Sequence, residues 1–171
     1  MRHHYYSSTP NYSVALHTTS ASPRRLRYTA LLSHCPVEIK MAKTLTQERI
    51  AEILKFDVDQ RYKYLVKEVV ENREIWILTD EHGCVMLNTE DEDCVPVWPN
   101  EEFAQEWATG EWEHCKPEPI GLNKWHSRWT NGLLDDELSI VAFPNTDLEG
   151  VVLFPDEFDF DLTNQAKKQK R

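Results

Sequence analysis

The side chains best equipped for chemistry crowd into one stretch, from Trp76 to Trp129, which holds all six tryptophans together with His82, His114 and His126. A nucleophilic centre needs a thiol or hydroxyl within reach of a base. Cys115 with His126, or Cys84 with His82, would qualify only if the fold created the pair, because their spacing does not. The four cysteines, at 35, 84, 94 and 115, never fall at the two-residue spacing of a zinc knuckle or redox motif. No HExxH occurs. His114 and Cys115 follow Glu111 and Glu113, but neighbours on a strand point to opposite faces, and a metal would need further ligands. Beyond Met41 serine occurs only at 127 and 139, with no GxSxG elbow. Acidic pairs carry no information where acids are this abundant. The sequence marks no catalytic residue, no metal site and no cofactor, and it leans away from an enzyme.

Tryptophan offers the largest apolar surface and one N–H that needs a partner when buried. In VPVWPNEEFAQEWATGEW (95–112), Trp107 shares a helical face with Phe103, and farther on Trp125 and Trp129 share another. These three read as core. Trp98, held between Val97 and Pro99, and Trp112, between two glutamates, read instead as a partly exposed rim beside His114. An aromatic rim next to carboxylates could hold a cation, a sugar or a partner's side chain. Trp98, Trp112 and His114 are therefore the candidate binding residues.

The elements that must position them follow from periodicity. Thr44 and Gln47 form a capping-box pattern ahead of a short helix over 45–55. Asp57 and Gln60 repeat the pattern before Val58, Tyr62, Leu65, Val66, Val69 and Val70, whose spacing predicts an amphipathic helix over 58–72. EIWILTD (74–80), CVMLNT (84–89) and CVPVWP (94–99) read as a three-stranded meander. Pro96 and Pro99 make the third an edge strand or the exit from one. Asn100 should cap a helix that ends at Gly110. KPEPIGL (116–122) is extended, and Asn123 should cap a helix carrying Trp125, Trp129 and Leu133. LSIVAFP (138–144) and GVVLFP (150–155) form a hairpin, and Phe158 and Leu162 predict a short final helix ahead of a basic tail, QAKKQKR. The expected class is α+β: an antiparallel sheet, made of the meander and the C-terminal hairpin, covered by helices.

Charge divides the chain of 171 residues. Residues 1–40 carry five basic residues and one acid, whereas 41–171 carry 14 basic and 28 acidic residues, within an overall net charge of −10. Residues 1–40 show no sustained period. A transit peptide, a disordered tail and upstream sequence read from an early start compete for them; MAKTLTQER from Met41 favours the last two. The expected domain is 41–171. No apolar h-region marks a secretory signal, and no run approaches the length of a membrane span. The acidic surface argues against nucleic acid and is suited to a basic protein partner. Cysteines that read as reduced thiols suggest the cytoplasm. There is no internal repeat and no glycine-rich phosphate loop.

Four blocks carry a resemblance: RYKYLVKEVV with EIWILTD (61–80), PVWPNEEFAQEWATGEW (96–112), PIGLNKWHSRW (119–129) and VAFPNTDLEGVVLFP (141–155). In order and spacing they resemble the bacterial family called domain of unknown function 2750, over about 61–162. That family implies no activity, cofactor or partner to transfer. The expected function is a small soluble acidic module for protein interaction or regulation; the alternative is a small-molecule-binding or enzymatic domain with a tryptophan-lined pocket.

Overall fold

The computed structural model describes residues 45–88, 92–147 and 149–169. The expectations for residues 1–40 and for Thr44 as a cap lie outside these. Helix α1 (Gln47–Leu54) starts instead at Thr46, whose hydroxyl accepts the Arg49 N–H, and buries Ile50 and Ile53. Helix α2 (Val58–Asn72) has the expected capping box in full: the Asp57 carboxylate accepts the Gln60 N–H at 2.8 Å and the Gln60 amide oxygen accepts the Asp57 N–H at 3.2 Å. Leu65, Val66, Val69 and Val70 form its buried stripe.

Strand β1 (Glu74–Asp80) is central in a sheet of order β2–β1–β5, with β2 at Gly83–Cys84 and β5 at Lys116–Gly121. The segment read only as extended thus becomes a strand antiparallel to β1, running from Glu74↔Gly121 to Thr79↔Lys116. Its prolines fit because Leu122 N–H donates to Arg73 O. That bond sets the phase: even-numbered donors face β1, and Pro117 and Pro119 present their missing donors outward.

The second sheet has order β3–β4–β6–β7: β3 is Leu87–Asn88, β4 Asp93–Val97, β6 Ser139–Ala142 and β7 Val151–Leu153. The meander is therefore not formed. CVMLNT breaks after Cys84, and its two ends join different sheets. Strand β4 is an interior strand rather than an edge, and it pairs parallel with β6, Val95 opposite Ile140, so this sheet is mixed. Pro96 is tolerated there for a geometric reason. On the side of β4 away from β6, Cys94 pairs with Leu87, and Trp98 exchanges two backbone bonds with Trp76 (3.0 and 2.9 Å). Pro96 has the same parity as both and falls between them, where no donor is required. The Trp76–Trp98 bridge ties the two sheets together. The hairpin β6–β7 is antiparallel, as expected.

Helix α3 (Glu101–Trp107) starts after Asn100, which sits at the cap position but makes no cap hydrogen bond. A 3₁₀ turn, Gly110–Trp112, follows, with Gly110 at φ +62°. After β5 the chain runs through α4 (Leu122–Lys124), a π-helical turn (Trp125–Trp129) and α5 (Thr130–Asp135). Gly121, not Asn123, holds the cap position. Asn123 instead accepts a hydrogen bond from the Arg73 guanidinium. Helix α6 (Pro155–Gln169) is longer than expected and buries Phe158 and Leu162 against α2 and α5. The class is α+β, with helices packed on mixed and antiparallel sheets.

Candidate functional site

Three indoles form a file from core to surface. Trp98 and Trp107 have ring centroids 5.2 Å apart, and Trp107 and Trp112 5.9 Å. The Trp107 indole N–H donates to Asn145 O at 2.8 Å. Trp98 is 0 % exposed, which corrects its assignment to a rim: an interior strand bridged to Trp76 leaves its ring no route to solvent. Its N–H has no partner among the described residues. Trp112 is half-buried because it lies in the turn after α3, and His114 is exposed. The file thus brings Trp98 and Trp112 together through Trp107, but only Trp112 and His114 reach the surface. With Trp98, Trp107, Trp125 and Trp129 in the core, the indoles are spent on packing rather than on a pocket wall.

The thiols are poorly suited to nucleophilic work. His114 Nε2 lies 3.8 Å from Cys115 Sγ, so the imidazole beside this thiol is its sequence neighbour's, while His126 is engaged with Asp159. Burial, and then the charge of Asp80, pushes the Cys115 thiol up. Burial, with Glu92 and Asp93 adding to it, pushes Cys94 up to about 12. Both therefore stay protonated, the unreactive form. Cys84 is buried as well.

His126 forms a contact that spacing gave no hint of. The π turn carries it to α6, where its Nδ1 lies 2.6 Å from Asp159 Oδ1. The Thr130 hydroxyl lies 2.9 Å from the same oxygen and 3.3 Å from Trp125 O. A carboxylate oxygen accepts, so Nδ1 is the donor in this contact and Nε2 is the ring nitrogen left facing away from Asp159. This orients an imidazole, the first requirement of a general base. Among the described residues no three His, Cys, Asp or Glu side chains gather as a metal site would need. The sequence signal was indirect: Phe158 and Leu162 inward on a helix place Asp159 on its flank.

Arg61, buried inside α2, is structural. Its guanidinium donates to Phe56 O (2.8 Å), Glu149 O (2.7 Å) and Phe143 O (3.3 Å), and so staples the 143–149 loop to the helix. Phe143 has φ +47°, a conformation that a bulky residue holds only when its surroundings enforce it. Burial lowers the Arg61 pKa, with Glu149 and Asp57 opposing the shift.

Large apolar side chains lie exposed at the start of α6 and on β7. Phe154 is 57 % and Phe160 56 % exposed, with Val152 on the outermost strand also open. Asp156 and Glu157 flank them in the first turn of α6. No helix among the described residues is long and apolar enough to cross a membrane.

These features define a small α+β domain with an aromatic core, quiet thiols and two exposed phenylalanines beside carboxylates. The chain belongs to the family described as "Protein of unknown function (DUF2750)", which matches residues 62–162, more than half of its length. No curated protein and no solved structure matches it.

Proposed function

We propose that this domain is a protein-interaction module whose contact face is formed by Phe154 and Phe160, and whose partner is basic. The observation that carries this reading is the pair of phenylalanines more than half exposed beside Asp156 and Glu157. Solvated aromatic rings gain on association, since aromatic anchors dominate interface energetics. The flanking carboxylates, within a stretch (71–161) that carries 23 acids against four basic residues, select cationic surroundings in the partner and speed its approach. Trp112 and His114 lie on a separate exposed segment and serve as a second, peripheral contact. A reducing cytoplasmic setting fits the buried thiols of Cys94 and Cys115.

The test is a photocrosslinking residue at position 160 in the native cell, followed by reconstitution with the purified partner. A basic protein whose binding weakens with salt, and at least tenfold in the Phe154→Ser/Phe160→Ser variant, is the expected result. Crosslinking only to a second copy of the chain, or a partner whose affinity ignores both phenylalanines, refutes the proposal.

A further inference from the structure

A groove of about 350 Å³ runs between α2 and α6, with neither Phe154 nor Phe160 in its lining, and its walls are cationic although the chain is acidic overall. Residues 41–171 carry 14 basic residues against 28 acids, and three of those 14, Lys63, Lys67 and Lys168, line this one groove from two helices about a hundred residues apart in the chain. Lys63 and Lys67 stand one turn apart on α2, a like-charge spacing that costs an isolated helix a few tenths of a kcal/mol. None of the three makes an ion pair among the described residues. Lys168 is in the last turn of α6, where the helix dipole favours a cation; the dipole gives no reason for Lys63 and Lys67 to face the same depression.

The rest of the lining supplies neutral hydrogen-bonding groups. Asn164 and Gln165 each offer an amide, and Val66 forms part of the wall. The single carboxylate, Asp161, is engaged: the Tyr62 hydroxyl donates to it at 2.6 Å. Burial and that bond raise the Tyr62 pKa, so the phenol remains the donor and Asp161 the acceptor. The lining therefore keeps an excess of two positive charges. Its volume lies at the small end of the range for small-molecule sites, about 300–1,000 Å³.

We propose that the α2–α6 groove binds a small phosphate-bearing anion, with Lys63, Lys67 and Lys168 neutralising its charge and Asn164 and Gln165 bonding its remaining polar groups. Lysine serves such anions as a point charge, with no need for a bidentate fork. The same phosphate chemistry could be presented by a free metabolite or by a lipid headgroup, and the arms of the test separate these.

The experiment is an amide NMR titration of the full chain with inorganic pyrophosphate at low ionic strength, with sodium chloride at matched ionic strength as control. Saturable shifts confined to the groove residues of α2 and α6, weakened at least tenfold in Lys63→Gln/Lys67→Gln, are expected. These surface substitutions leave the buried stripe of α2 intact, and a thermal melt verifies that the variant is folded. Vesicles containing a phosphoinositide form the second arm: the same lysine dependence there assigns the phosphate to a lipid, whereas pyrophosphate binding alone assigns it to a free metabolite. Shifts no larger than those with sodium chloride together with no vesicle binding, or binding unaffected by the double substitution, overturn the proposal.

Discussion

Replacing Arg61 with methionine isolates the contribution of the guanidinium staple. Methionine keeps most of the aliphatic length, so the change deletes donors with little loss of volume. Three carbonyls lose a partner, but not equally. Phe143 is fully buried, Phe56 half-buried and Glu149 exposed, so water can replace the bond only at Glu149. An orphaned buried carbonyl costs about 1–3 kcal/mol. One full and one partial orphan give about 3 kcal/mol. Relief from burying a charge offsets part of this, leaving about 2 kcal/mol net. The positive-φ backbone at Phe143 loses its restraint at the same time, so the damage should concentrate in the 143–149 loop. With a urea slope of about 1–3 kcal/mol/M, the unfolding midpoint should fall by roughly 1 M without a change in slope. Hydrogen exchange at Asn145 and Glu149 should quicken, since the Asn145 N–H bond to Glu149 O closes that loop. A midpoint within 0.2 M of the parent (about the measurement error) with unchanged exchange would refute the reasoning, because the guanidinium would then be dispensable to the loop.

Three further outcomes follow from the packing and the thiols. Trp98→Ala should cost about 3–5 kcal/mol, as for other fully buried aromatics, and Trp112→Ala about 1 kcal/mol because its ring is only half-buried; urea melts compare the two. The Cys94 thiol, ordinarily near 9, stays protonated up to about 12 when folded. The unfolded chain therefore releases that proton first as pH rises, and stability should fall above pH 9 by up to about 1.4 kcal/mol per unit. Cys94→Ala should flatten that slope in melts from pH 8 to 10.5. Asp159→Asn, which keeps the Thr130 contact but removes the charge held beside His126, should cost about 1 kcal/mol, read from thermal unfolding at neutral pH.

The elements written into local sequence were the ones that could be read in advance. The Asp57–Gln60 box, the stripe from Leu65 to Val70 and the β6–β7 hairpin each need only neighbours in the chain, and each is present as expected. Strand pairing is a non-local decision. Nothing within CVPVWP records that β6, more than forty residues later, lies parallel beside it, so Pro96 looked like an edge signal when it marks a gap between two partners. Trp98 was misplaced for the same reason, since its burial comes from Trp76 and Trp107 rather than from its own flanks. The His126–Asp159 contact was hidden because it joins residues 33 apart on two helices, across a π turn with an i→i+5 bond from Thr130 N–H to Trp125 O, although the stripe of Trp125, Trp129 and Leu133 is buried as its spacing predicts. Family resemblance recovered the span of the family match, 61–162 expected against 62–162 found, but, carrying no activity, left its sites to be read from geometry alone.

The parallel partnership of β4 with β6 also sets a timetable. While the chain emerges during synthesis, β1 can zip onto β5 once residue 121 is clear, but β4 must wait for residue 142. At about 5–20 residues per second, that leaves Val97, which pairs with Ala142, without its partner strand for roughly 2–9 seconds after its own translation. A nascent chain halted in that window would display an apolar strand side, Val95 and Val97, that the finished molecule never shows to solvent, and there a chaperone would find its handle.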